Sequence, residues 1–69
     1  MPIYLAELFQ SFMIVQITGD DKIKNHLSNL GLVPGEEIMV VNKVKDNIII
    51  KIKGVSLAIS KELAKRILV

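Results

Sequence analysis

Few residues in this chain could do chemistry. Among its 69 residues there is one histidine, His26, and no cysteine. Thiolate nucleophiles, thiolate metal sites and disulfides are therefore ruled out. A catalytic centre needs a base, a nucleophile and some means of holding developing charge. His26 has no partner at i+3 or i+4 on the helix it is expected to occupy, and reads as a surface or boundary residue. Together with Asp20 or Asp21 it would make only a partial ligand set, whereas a metal site takes three or four ligands. Asp20-Asp21 and Glu36-Glu37 both stand where caps and turns account for them, and neither pair is spaced as an acid and a base across a cleft. Gly19, Gly31, Gly35 and Gly54 never approach a phosphate-loop pattern. The expectation is a protein that is not an enzyme, with no catalytic, cofactor-binding or metal-ligating residues and no cofactor.

Binding is the remaining class of function, and composition bears on it. Hydrophobic residues make up 51% of the chain, and the mean hydropathy is +0.46. So short a chain holds one thin core and cannot bury them all. Apolar surface is expected to stay exposed or to be covered by another chain, which makes self-association an expectation too. Nine Lys+Arg against seven Asp+Glu give a net charge of +2. The basic residues are spread from Lys22 to Arg66 rather than gathered in the stripe of a dedicated nucleic-acid binder. The longest apolar runs, Phe12–Val15 and Ile38–Val41 among them, fall far short of the roughly 20 residues that span a membrane. The opening Met1-Pro2-Ile3-Tyr4 has no charged segment ahead of an apolar one, so no signal peptide is expected. A cytoplasmic location follows as an expectation.

The elements that would position a binding surface can be read from periodicity. Leu5 and Leu8 are spaced for one helical turn. Phe12–Thr18 is rich in β-branched and aromatic residues and reads as one strand, buried on most of both faces and ending at Gly19. Asp20 or Asp21 can cap a helix whose buried face carries Ile23, Leu27 and Leu30. Gly31 closes it with a positive φ, and Leu32 folds back onto it. Val33-Pro34-Gly35-Glu36 suits a type II turn, with Pro and Gly at its two central positions.

Glu37–Val44 and Ile48–Lys53 read as strands joined by Lys45-Asp46-Asn47. A three-residue loop, with Asn47 left-handed, pairs Val44 with Ile48 and Val40 with Ile52. One face then holds Val40, Asn42, Val44, Ile48, Ile50 and Ile52. A two-residue turn at Lys53-Gly54 pairs Ile52 with Val55, Ile50 with Leu57 and Ile48 with Ile59, extending the same core face. Ser60 can cap a short helix through Lys65, with Glu62 in its first turn. Ile67-Leu68-Val69 is a last strand free to pair with the first. The order describes one domain over residues 1–69, mostly β with short helices. Five short strands around one core suggest a small, partly open barrel of the SH3-like type.

The outer face of this meander mixes Met39, Val41, Ile49 and Ala58 with Lys43, Lys51 and Lys53. An apolar centre with a basic rim suits a protein interface, so Met39, Val41, Lys43, Ile49, Lys51 and Lys53 are the candidate protein-binding residues. A second reading stays open, in which the segment Ile3 to Phe12 folds over this face. For nucleic acid the missing feature is an aromatic platform, because Tyr4, Phe9 and Phe12 all lie near the N-terminus and the meander has none.

The block Leu27…Leu30-Gly31-Leu32-x-Pro34-Gly35 completes a pattern that resembles the ferrous iron transport protein A (FeoA) family. The likeness runs over nearly the whole chain. It takes in Leu5/Leu8, Val15-Gln16-Ile17-Thr18-Gly19, Gly54-x-x-Leu57-Ala58-Ile59 and Glu62-x-Ala64-x-x-Ile67-x-Val69. The Leu-Gly-Leu-x-Pro-Gly core is its most specific part. Where family members often carry Gly near the start of the first strand, this chain has Ser11-Phe12. The resemblance implies an SH3-like barrel in the cytosol of a prokaryote, and a chain that begins with Met1 and lacks a helix-turn-helix is expected to be its free-standing form. It further implies an accessory role in ferrous iron uptake. The implied partner is the ferrous iron permease, protein B of the same system, met at its cytosolic GTP-binding domain, so that the membrane is reached only through the partner. No iron ligands carry over. Leu27, Leu30, Gly31, Leu32, Pro34, Gly35 and Gly54 are read as structural. Leu30 is expected in the core, with Leu30→Ala costing about 2–5 kcal/mol, and Gly31→Val is expected to damage the helix end through a Cβ clash. The alternative is a small nucleic-acid-binding or transcription-regulatory module, favoured only by a pI near 9.1 and the dispersed lysines.

Overall fold

The computed structural model describes all residues from Met1 to Val69. A 3₁₀ turn, Ile3–Leu5, leads to β1 (Ser11–Met13), β2 (Gln16–Ile17), α1 (Asp21–Asn29), β3 (Glu37–Val44), β4 (Asn47–Ile52), β5 (Val55–Ser60), α2 (Lys61–Ala64) and β6 (Ile67–Leu68). The strands form a four-stranded sheet in the order β1-β3-β4-β5 and a two-stranded sheet of β2 and β6. All pairings within the sheets are antiparallel. The architecture is mostly strand with short helices, as expected, and the two sheets are not joined into a closed barrel.

Both sheets share one core of 14 buried residues, every one apolar. It draws on Ile3 and Ala6, on Ile14 and Ile17, on Leu27 and Leu32, on six residues of the meander, and on Ala64 and Ile67. The chain ends lie side by side, since Met1 and Val69 exchange backbone hydrogen bonds and Pro2 bridges Leu68.

The first strand is not continuous. Residues 11–13 pair with β3 and residues 16–17 with β6, so the chain leaves one sheet for the other at Ile14-Val15. Backbone bonds between Ile14 and the Pro34-Gly35 turn hold that crossing (Gly35 N–H to Ile14 O, 2.8 Å; Ile14 N–H to Glu36 O, 2.9 Å). Only one side of the segment is buried: Ile14 and Ile17 face in, whereas Met13, Val15 and Gln16 are exposed. The opening turn also differs from expectation. Ile3 and Ala6 are its buried pair, and Leu5 and Leu8 are exposed.

α1 is capped as its sequence predicts, with the Asp20 carboxylate accepting from Ile23 N–H at 2.9 Å. Its C-terminal end corrects one expectation. The helix stops at Asn29, and Leu30 takes a φ of −87° and a ψ of −1°. Gly31 then turns the chain with φ +87°, and Leu32 swings in to donate to Leu27 O at 2.9 Å. Leu32 is fully buried beside Leu27, while Leu30 keeps 36% of its surface. A Cβ on Gly31 would meet nothing within 4 Å. The requirement for glycine there is therefore its backbone angle alone and not a clash with a neighbour.

The turn Val33–Glu36 forms as expected, closed by Glu36 N–H to Val33 O at 3.2 Å, with Gly35 at φ +96°. The Lys53-Gly54 turn also forms, with both residues left-handed. All three predicted pairs across it are present: Ile52 with Val55, Ile50 with Leu57 and Ile48 with Ile59. Val55, at the sheet's end, is exposed rather than core. Ser60 Oγ caps α2 by accepting from Leu63 N–H at 3.2 Å.

The β3–β4 hairpin departs from the expected register. Its loop is the two-residue turn Lys45-Asp46, with Lys45 at φ +51°, and Asn47 already belongs to β4. Val44 pairs with Asn47 and Lys43 with Ile48. Beyond the irregularity between Val40 and Asn42, Val40 pairs with Ile50. The extra residue, Val41, is a β-bulge, which lets two residues of one strand oppose one of the other. Val40, Ile48, Ile50 and Ile52 are buried as expected, but Asn42 and Val44 are exposed.

Candidate functional site

The outer face of the four-stranded sheet is where the sequence puts the candidate binding residues. Residues opposite one another across an antiparallel ladder share a face. One outer row therefore runs Ser11, Met39, Lys51, Ser56, and a second runs Asn42, Ile49, Ala58. Met39, Val41 and Ile49 are half-buried, and Lys51, Ser56 and Ala58 are exposed. A shallow depression between β1, β3 and the Lys53-Gly54 turn brings Met39, Lys51 and Lys53 together with Ser11, Glu36 and Glu37.

Of the six candidate residues, Met39, Ile49 and Lys51 stand on this face, Lys53 borders it, and Val41 sits at the bulge. Lys43 does not join them. The bulge shifts it opposite the buried Ile48, onto the core side of the sheet, and its Nζ lies 5.9 Å from the Tyr4 ring centroid. Nor is the rim purely basic. Lys53 Nζ lies 3.2 Å from a Glu36 carboxylate oxygen, and Glu37 pairs with Met13 beside it. Ser11, Met13, Glu37 and Ser56 were not singled out from the sequence. Only the strand pairing, not any residue type, places them here.

The segment Ile3 to Phe12 does not fold over this face. Ile3 and Ala6 are core residues. Leu8 bridges Val40, Phe9 N–H donates to Val40 O at 2.8 Å, and Ser11–Met13 pair along β3. The segment therefore fills the core and extends the sheet's edge. Expected exposed apolar surface is concentrated in this part of the chain, where Leu5, Phe9, Met13 and Val15 each keep more than 60% of their area. Phe9 adopts φ +63°, a conformation uncommon for a bulky residue, which its bond to β3 helps to hold.

His26 is exposed on α1. No three His, Asp or Glu side chains gather where a metal ion could be held. No helix is long and apolar enough to cross a membrane.

The FeoA domain family model matches residues 1–69. Among solved structures, an iron uptake regulatory protein (FeoA) is 32% identical, covering 97% of this chain and 91% of its own, with a TM-score of 0.90. A FeoA-like protein from Clostridium acetobutylicum is 27% identical over 99% of this chain and 81% of its own, with a TM-score of 0.88. The zinc complex of Stenotrophomonas maltophilia FeoA, described as an SH3 domain protein, shares the fold at 24% identity over 99% of this chain and 87% of its own, with a TM-score of 0.83. No curated protein sequence matches the chain. With the family model matched from end to end and these structures superposing on nearly every residue, the chain belongs to the FeoA family of ferrous iron transport, and its fold is SH3-like.

Proposed function

We propose that this chain is a cytosolic accessory protein of ferrous iron uptake, one domain over residues 1–69. It binds and modulates the GTP-binding membrane permease of the same system, without catalysing a reaction itself. The observation that carries the reading is the family match over the whole chain. The outer sheet face supports a docking role. Half-buried Met39 and Ile49 sit between Lys51, Lys53 and small exposed residues, the apolar centre and polar rim of a protein interface. The exposed apolar residues near the N-terminus favour self-association as a second, weaker contact.

The test is calorimetric titration of the chain into the permease's cytosolic GTP-binding domain, with and without nucleotide and Fe²⁺. Saturable binding in any of these conditions supports the reading. Its absence in all of them, and with the full-length permease, overturns it. A regulatory role on DNA is the second reading. It draws on a manganese-dependent transcriptional repressor that shares the fold at 11% identity, of whose length this chain covers 39%. Salt-sensitive binding of the chain to duplex DNA at physiological ionic strength would favour it.

A further inference from the structure

Away from the outer sheet face, the chain gathers one cluster of like charge. The Tyr4 ring packs against the core from the opening 3₁₀ turn, and three ammonium groups surround it. Lys61 Nζ lies 5.0 Å from the ring centroid, Lys43 Nζ 5.9 Å and Lys65 Nζ 6.0 Å. Four separate places in the sequence build this cluster: the N-terminal turn, β3 beyond its bulge, and the first residue and C-cap of α2. None of the three lysines has a carboxylate partner, since the ion pair in this structure is Lys53 with Glu36.

The ring explains how the lysines tolerate one another. Its negative face attracts ammonium groups placed over it, while each of them keeps N–H donors free. Three such ammonium groups around one ring suit a ligand that carries several negative charges, each held by a charge-assisted hydrogen bond. The surroundings narrow its nature. Lys61 also lines a shallow depression with Asp46, Ser60 and Glu62, so two carboxylates share that depression with one of the three lysines. A long polyphosphate backbone extended past Lys61 into that depression would meet their negative charge, whereas a short anionic stretch held at the ring would not. The ring already engages Lys61, and one aromatic ring is not the succession of platforms on which a nucleic-acid strand stacks its bases.

We propose that Tyr4, Lys43, Lys61 and Lys65 form a binding site for a short acidic segment of a protein partner, one with adjacent Asp or Glu side chains. The site lies on the other side of β3 from the outer face and stands whether or not the permease is the partner docked there.

The probe is a short capped peptide of Glu and Asp, titrated into the ¹⁵N-labelled intact chain and followed by amide chemical shifts. Saturable shifts are expected at Tyr4, Lys43, Lys61 and Lys65, weakening as salt is raised. Lys61→Gln should weaken binding about tenfold, and the triple Gln variant of Lys43, Lys61 and Lys65 should abolish it. Lys22→Gln, on exposed α1, should bind as the parent does, and a parent-like amide spectrum of each variant shows that it remains folded. Shifts absent from the cluster, unchanged affinity in the folded triple variant, or tighter binding of inorganic phosphate or duplex DNA than of the peptide would each overturn the proposal.

Discussion

Replacing Leu32 by Ala cuts a fully buried isobutyl group back to a methyl in the middle of the shared core. Leu32 is 0% exposed, and its N–H is bound to Leu27 O at 2.9 Å. Its backbone is therefore fixed from the helix end, and the site cannot easily collapse. Buried Leu→Ala changes cost about 2–5 kcal/mol, the larger values going with cavities that stay open. At about 0.05–0.15 kcal/mol of stability per residue, a chain of 69 residues has roughly 3–10 kcal/mol to lose. Leu32→Ala should therefore remove about a fifth or more of the total. At about 4–8 °C per kcal/mol for a domain of this size, it should lower Tm by about 8 °C or more. Leu30→Ala, two residues earlier in the same motif, is the internal comparison. Leu30 keeps 36% of its surface, so its loss should cost less than about 1.5 kcal/mol, below the value for a fully buried leucine. Urea denaturation of both variants, with the slope checked against the parent, reads the difference. Equal costs for the two, or a larger cost at Leu30, would refute the placement of Leu32 as the core residue of the motif.

Gly19→Ala should destabilise more than Gly31→Ala by denaturant midpoint. Gly19 sits at φ +126° with a Cβ position only 3.2 Å from the Ile23 side chain, whereas Gly31, at φ +87°, has open space around it. Ser60→Ala removes the α2 cap and should cost about 0.5–2 kcal/mol in the same assay, with Ser60→Asp restoring most of it. Breaking the surface pair between exposed Lys53 and half-buried Glu36 with Glu36→Gln should change stability by less than about 1 kcal/mol, measured as a shift in melting temperature. On the proposed docking face, Lys51→Glu or Met39→Asp should weaken calorimetric binding to the permease domain about tenfold or more, while Lys22→Glu on α1 should leave it unchanged.

Much of this architecture was legible because local chemistry specifies it. Asp20 and Ser60 are cap residues with few alternatives, Pro34-Gly35 names its own turn, and Lys53-Gly54 is short enough to set the β4–β5 register on its own. The β3–β4 hairpin was not legible, and the reason is periodicity. Side chains alternate with period two. Pairing Val40 with Ile50 through a two-residue turn and a bulge therefore buries the same residues as pairing Val40 with Ile52 through a longer loop. The two differ only past Val41, where Asn42, Lys43 and Val44 exchange faces, and no apolar pattern there distinguishes them. That exchange removed Lys43 from the expected docking face and brought it to Tyr4. Leu30 was misplaced for a related reason. Its spacing from Ile23 and Leu27 suits a helix face, but the helix ends one residue before it. The proposed docking face is assembled by long-range pairing, which is why Ser11 and Ser56 had no signature in the sequence.

The most direct test of the central claim is an amide chemical-shift map of the ¹⁵N-labelled chain during titration with the unlabelled GTP-binding domain of the permease. The account predicts that the residues shifted or broadened first lie on the outer sheet face, at Ser11, Met39, Ile49, Lys51 and Ser56. A map confined to the exposed side of α1, or a spectrum that never changes, would contradict it.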